Sequence, residues 1–288
     1  MRIFGICRVR DEMDLIGVTI AYHLGVGIDR VLVMDNGSSD GTWEVLEHLE
    51  RTADVGVIRN RGPFRSGTMT TRLARWAHEE GADWVLPFDA DEFWFAPGGD
   101  LRGAVAESGA GALRVGLINF VQRRDQASPR AEALLTMTHR VPSPVGTPDS
   151  HEQQVEEGRI AFVEGAYPPK WACRPTAEVV YDTGSHGVLG APGPVIEPEG
   201  LVILHAPLRS RATLEAKAVS GQRVIEAGFE GHNSWHLRRW HRLATEGKLE
   251  AEWRANSWED DVLDVYGSPH PLVVDRLLAD TLAPFIAR

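Results

Sequence analysis

The 288-residue chain has a formal net charge of −11, with 43% hydrophobic and 25% charged residues. That length and composition suit a soluble globular protein with one large α/β domain and an extension. The acidic balance excludes nucleic acid as the main partner, because phosphate backbones demand basic surface. It leaves room for a nucleotide ligand whose phosphates meet a divalent cation.

In chain order, Arg2–Cys7 reads as strand, Glu12–Val26 as helix, Arg30–Met34 as strand and Trp43–Arg51 as helix. Val55–Arg59 then reads as strand, Thr68–Glu80 as helix and Trp84–Phe88 as strand. Such alternation predicts a mostly parallel central sheet flanked by helices. Leu101–Ser108 continues as a short helix and Ala112–Val121 as a strand. From Gln122 to Pro175 the periodicity fades, and prolines at 129, 142, 144, 148, 168 and 169 predict long loops. Val179–Tyr181, Val188-Leu189 and Leu201–Leu204 are further strands, and the chain from residue 212 is read as a helical extension rich in tryptophan. The expected division is therefore 1–211 and 212–288. No run nears the ~18 apolar residues of a membrane span. Met1–Arg8 is too short and too soon charged for a signal peptide. Cys7 and Cys173 make no disulfide framework, so the expected location is the cytoplasm.

Two segments carry chemistry. Asp89-Ala90-Asp91-Glu92-Phe93 follows the apolar run Trp84–Phe88. If the strand continues, alternation aims Asp89 and Asp91 at one spot at its carboxyl end, where open α/β sheets bind ligands. Two hard oxygen donors there suit Mg²⁺ or Mn²⁺ completed by phosphate oxygens. Upstream, Val31–Met34 runs into Asp35-Asn36-Gly37-Ser38-Ser39-Asp40-Gly41-Thr42, a polar turn before a helix that Ser39 or Asp40 can cap.

The second segment resembles the Asp-Asn-Gly-Ser-x-Asp-Gly-Thr signature of glycosyltransferase family 2 and related GT-A enzymes. Arg10-Asp11-Glu12 resembles that family's Lys-Asn-Glu element, and Asp89–Phe93 its Asp-x-Asp-Glu-Phe metal motif. The resemblance implies a GT-A, Rossmann-like fold. It implies metal-dependent transfer of a sugar from a nucleoside-diphosphate sugar to an acceptor hydroxyl, with inversion. Arg8, Arg10, Glu12, Asp35, Asn36, Ser38 and Asp89 then fall near the nucleotide. His205-Ala-Pro-Leu-Arg209-Ser210 resembles a late His-x-x-x-Arg-Ser segment with a lysine further on, here Lys217. That implies Asp89, Asp91 and His205 as ligands of Mn²⁺ or Mg²⁺, with His186 as the competing histidine and Arg209 and Lys217 as diphosphate contacts. Glu152, Glu164 and Asp182 all lie in the irregular middle of the chain, and Glu152, in the loop region expected to take the acceptor, is chosen among them as the candidate general base. His232 and His236 have an i, i+4 spacing but no third ligand in a zinc pattern. The alternatives are a haloacid-dehalogenase-like phosphatase using Asp89 and Asp91, which would prefer Thr or Val at 93, and a non-catalytic nucleotide- or glycan-binding protein.

Overall fold

Apolar runs alternate with amphipathic ones through the first third of the chain. They become β1 (Ile3–Val9), α1 (Ile16–Gly25), β2 (Arg30–Asp35), α2 (Thr42–Thr52), β3 (Val55–Arg59), α3 (Ser66–Glu79), β4 (Trp84–Phe88) and β5 (Glu92–Phe95). There follow α4 (Leu101–Ala106), β6 (Ala112–Val115), β7 (Leu117–Arg123), β8 (His139–Arg140), α5 (His151–Glu156) and β9 (Lys170–Cys173). Then come β10 (Val180–Tyr181), β11 (Val188–Leu189), β12 (Val195–Ile196), β13 (Val202–His205), α6 (Arg211–Glu226), α7 (Trp235–Thr245) and α8 (Leu249–Ala255). The chain ends with β14 (Ser257–Glu259), β15 (Val262–Val265), β16 (Ser268–Pro271), β17 (Val273–Val274) and α9 (Leu277–Ile286). This computed structural model describes residues 1–60, 62, 66–106, 109–226, 228 and 234–286. No helix among them is long and apolar enough to cross a membrane.

The chain forms two compact units that interleave in sequence: Met1–Leu117 with Pro168–His205, and Ile118–Tyr167 with Ala206–Arg288. The stretch from Gln122 to Pro175, where long loops are expected, contributes to both units.

The first unit holds a seven-stranded sheet in the order β12-β6-β9-β4-β1-β2-β3. β1 pairs in parallel with β2 and β4, and β2 with β3, while β9 runs antiparallel to β4 and β6. Every residue of β4 is buried, as befits a strand covered on both faces. Pro87 is tolerated there because the β9 ladder touches β4 only at Val85 opposite Cys173. α3 buries Met69, Leu73, Ala74 and Ala77 against Phe4, Ile6, Leu32 and Val85. Each such large apolar side chain contributes about 1.5–3 kcal/mol on leaving water. β5 leaves this sheet and pairs antiparallel with β13.

The second unit corrects the expected all-helical extension. α6, α7 and α8 run to Ala255, and then β14, β15 and β16 form an antiparallel meander. Its turns, Asp260-Asp261 and Tyr266-Gly267, have φ of 52°, 62°, 51° and 94°, the double left-handed geometry of tight hairpins. β7 joins the meander in parallel through β14, and β8 pairs with β7 and β17. Gly116 also divides the single strand expected over 112–121. Trp240 and Trp253 are core residues whose indole N–H groups donate to Glu252 and to the carbonyl of Arg124. Burial and polar partners account for both side chains.

Candidate active site

Strands β2 and β3 lie to one side of β1 and β4 to the other, so the strand order reverses between β1 and β4. Ligand crevices of open α/β sheets open at the carboxyl ends of strands at such a reversal. Arg8 sits near the end of β1, and Asp89-Ala90-Asp91 follows β4 directly. The two acids are not on a strand, as alternation had predicted. They stand in the turn between β4 and β5, closed by Glu92 N–H donating to the Asp89 carbonyl at 3.0 Å and Asp89 N–H donating to Glu92 Oε2 at 2.9 Å.

Asp89 is engaged by two cations. Arg8 Nη2 donates to its Oδ1 at 3.0 Å, and Lys170 Nζ to its Oδ2 at 2.6 Å. Lys170 also lies 3.0 Å from Glu92 Oε2 and is only 2% exposed. Partial burial would raise the Asp89 carboxyl, but Lys170 and Arg8 overcome that and hold it well below the usual carboxylate range. Burial pushes Glu92 up to about 7 against the pull of Lys170. Burial works to lower the Lys170 ammonium, and Asp89 and Glu92 prevail in raising it. Lys170 was missed in the sequence because a lone lysine between Pro169 and Trp171 belongs to no motif. Its one signal was the short apolar run that follows it, Trp171-Ala172-Cys173.

Of the expected ligands Asp89, Asp91 and His205, Asp89 is thus held in two ion pairs of its own. Among the described residues no three His, Cys, Asp or Glu side chains form a metal cage. The Lys170 ammonium beside Asp89 Oδ2 would oppose a divalent cation at that oxygen. Asp89 therefore anchors the turn through Arg8 and Lys170. Asp91 and His205 are 8% and 7% exposed. His205 ends β13 directly across from Glu92, the residue after Asp91. A carboxylate and an imidazole suit Mn²⁺ or Mg²⁺ in an open site that water and phosphate oxygens complete. In His186, Nδ1 faces the Pro169 carbonyl at 3.1 Å. Burial, with Lys170 next, lowers its imidazole to about 4, so it stays neutral.

The loops after β1 and β2 are zipped together. Asp11, at φ 52°, donates its N–H to Ser38 Oγ at 2.9 Å, and its carboxylate accepts Ser39 N–H at 2.7 Å. Glu12 N–H donates to Thr42 Oγ1, and Asp40 accepts both Thr42 N–H at 2.9 Å and Met13 N–H at 3.0 Å. Asp40 is thus the acid at the start of α2. Asp35 is fully buried and accepts from Gly37 N–H, Ser38 N–H and Arg59 Nε at 3.1, 3.1 and 3.2 Å. Its carboxylate builds the loop, and the next residue, Asn36, accepts from Asn60 Nδ2 through its Oδ1 at 3.0 Å. Arg59 lies over the Trp43 ring at 4.9 Å. Arg10 is exposed beside Asp11.

Glu152, Arg209 and Lys217 belong to the second unit. Glu152 is in the first turn of α5, Arg209 is buried, and Lys217 Nζ donates to the Pro207 carbonyl at 3.0 Å. His232 lies outside the described residues, while His236 packs edge-on against Trp240 at 5.1 Å.

Residues 24–111 match the family model "Glycosyl transferase family 2". The likeness to that family is confined to these residues, under a third of the chain. The matched residues run from the end of α1 through the acidic turn, β5 and α4. Among curated proteins, a glycosyltransferase family 92 protein of Oryza sativa subsp. japonica is 27% identical over 146 residues, which are 47% of this chain and 24% of that protein. Another family 92 protein, of Arabidopsis thaliana, is 34% identical over 83 residues, or 27% and 14%. The matches thus cover a quarter or less of these relatives' length. Solved structures give distant likenesses. S. aureus TarS 1–349 in complex with UDP-GlcNAc has a TM-score of 0.44 at 10% identity, covering 83% of this chain and 70% of that one. Mannosyltransferase PcManGT from Pyrobaculum calidifontis, in complex with GDP-Man and Mn²⁺, has a TM-score of 0.39 at 19% identity, covering 88% and 73%.

Proposed function

We propose that this protein is an inverting glycosyltransferase that moves a sugar from a nucleoside-diphosphate sugar to an acceptor hydroxyl. One observation carries the reading: within the residues that match family 2, the Asp89-Ala90-Asp91 turn stands where the strand order reverses, its first acid locked by Arg8 and Lys170. A divalent cation held by Asp91 and His205 would supply Lewis-acid stabilisation of charge on the departing diphosphate. Arg8 and Lys170 fix Asp89, so the backbone presents Asp91 in one position. Asn36, Ser38 and the loop at Arg10–Glu12 line the carboxyl ends of β1 and β2 and bind the nucleoside. Arg209 and Lys217 are retained as diphosphate contacts.

The segment from Gln122 to Pro175 takes the acceptor, because irregular loops accommodate varied shapes better than strand ends. Glu152 removes the acceptor hydroxyl's proton as general base. The free, buried Cys7 and Cys173 suit a reducing compartment, which supports action in the cytoplasm. The test is nucleoside diphosphate release from a panel of sugar donors with Mn²⁺ and hydroxyl acceptors. Release with none of the panel, or hydrolysis of simple phosphate esters instead, overturns the reading.

A further inference from the structure

Helix α1 buries three polar side chains on one face, Thr19, Tyr22 and His23, each with 1% exposure or less. A helix that merely packed there would bring apolar residues, since buried polar groups cost free energy unless matched. All three are matched to the backbone of the acidic turn and the strand after it. Thr19 Oγ1 donates its single proton to the carbonyl of Ala90, the middle of Asp-Ala-Asp, at 2.5 Å; its other neighbour, the Leu15 carbonyl, is at 3.2 Å. Tyr22 Oη donates to the Trp94 carbonyl at 2.8 Å. Trp94 N–H donates to His23 Nε2 at 3.3 Å, and His23 Nδ1 donates to the Thr19 carbonyl at 2.8 Å. The acceptor role of Nε2 fixes the neutral Nδ1–H tautomer.

The rings complete the contact. His23 stacks on Phe88 at 3.8 Å and 11°, and Tyr22 meets Phe93 edge-on at 5.5 Å. Phe88 and Phe93 flank the turn on either side. Gly5 makes room for this: a Cβ there would come within 2.7 Å of Phe88 Cε1. The need is plain from the strand pairing. β4 belongs to the seven-stranded sheet and β5 pairs with β13, so residues 89–91 have no ladder of their own. Without α1, the Ala90 carbonyl and both backbone groups of Trp94 would lose their partners.

We propose that α1 is a clamp on the acidic turn, in which Thr19 and His23 are positioning residues that set where Asp91 presents its carboxylate. What Asp91 then binds rests on the function proposed above; the clamp itself rests on the contacts of α1.

Thr19→Val keeps the shape and removes the hydroxyl, and Thr19→Ser restores it. Hydrogen exchange of the backbone over 88–95 and Mn²⁺ affinity are measured in all three proteins. The clamp predicts about tenfold faster exchange at 90–92 in Thr19→Val, the equivalent of one lost hydrogen bond. α2 and α3 should stay unchanged, Mn²⁺ should bind about tenfold more weakly, and Thr19→Ser should recover both. Unchanged exchange in Thr19→Val, failure of Ser to restore it, or a loosened turn with wild-type Mn²⁺ affinity overturns the proposal. Should Val not fold, Tyr22→Phe removes the bond to Trp94 and is read the same way at 92–95. A wild-type protein that binds neither Mn²⁺ nor nucleoside diphosphates overturns the functional reading instead, and exchange then decides the clamp alone.

Discussion

His23 should make the protein lose stability in mild acid, and by a calculable amount. Burial, only partly offset by its bond to the Thr19 carbonyl, lowers the imidazole to about 3 in the folded state. The unfolded chain has the ordinary value of about 6.5. Between these values the unfolded state binds more protons, so the contribution is complete above pH ~6.5 and is lost as pH falls toward 3. Going from pH 7.5 to pH 5 removes about 2 kcal/mol, a large share of the 5–15 kcal/mol typical of a folded domain. His23→Gln removes the titration and some packing. Urea unfolding of both proteins at the two pH values isolates the effect, because every other titrating group is shared. The wild type's advantage over the variant should shrink by about 2 kcal/mol at pH 5. An advantage that stays constant within about 0.5 kcal/mol would refute both the neutral tautomer and the burial argument behind it.

Lys170→Met should destabilise by about 3–5 kcal/mol, because it leaves Asp89 and buried Glu92 without the cation they share. Adding Glu92→Gln should return part of that loss in a thermodynamic cycle from urea unfolding, and no recovery would contradict the pairing. Gly67→Ala should cost about 1–3 kcal/mol by thermal melting, since its Cβ would meet the Tyr181 carbonyl oxygen at 2.8 Å and Asp182 backbone carbon at 2.9 Å. Glu152→Gln should slow transfer while leaving nucleotide affinity nearly unchanged, a split that steady-state kinetics with nucleotide titration reads directly.

The first unit was legible where periodicity was strong. β3 and β4 match the expected bounds and the other early elements differ by a few residues, because buried parallel strands and amphipathic helices have clear patterns. The acidic pair was found for its residue types, although its geometry is a turn and not an extended strand. That could not be read because nothing in Phe88–Phe93 signals that β5 abandons the sheet; the choice is made by β13, more than a hundred residues later. Lys170 was hidden for the same reason, since its partners lie 81 residues away at Asp89. The meander at 257–271 escaped because Asp260-Asp261 and Tyr266-Gly267 are weaker hairpin signals than Asn-Gly. Thr19, Tyr22 and His23 looked like ordinary helix residues, and only their partners at Ala90 and Trp94 give them a role.

The most direct test of the central claim is nucleoside diphosphate release by the wild type and by Asp91→Asn, assayed side by side with Mn²⁺ and a panel of nucleoside-diphosphate sugars. The account predicts release from at least one donor by the wild type. It predicts a loss of about a hundredfold or more in Asp91→Asn, with an unchanged melting temperature. Equal turnover by the two proteins, or wild-type release that persists undiminished in chelator, would contradict it.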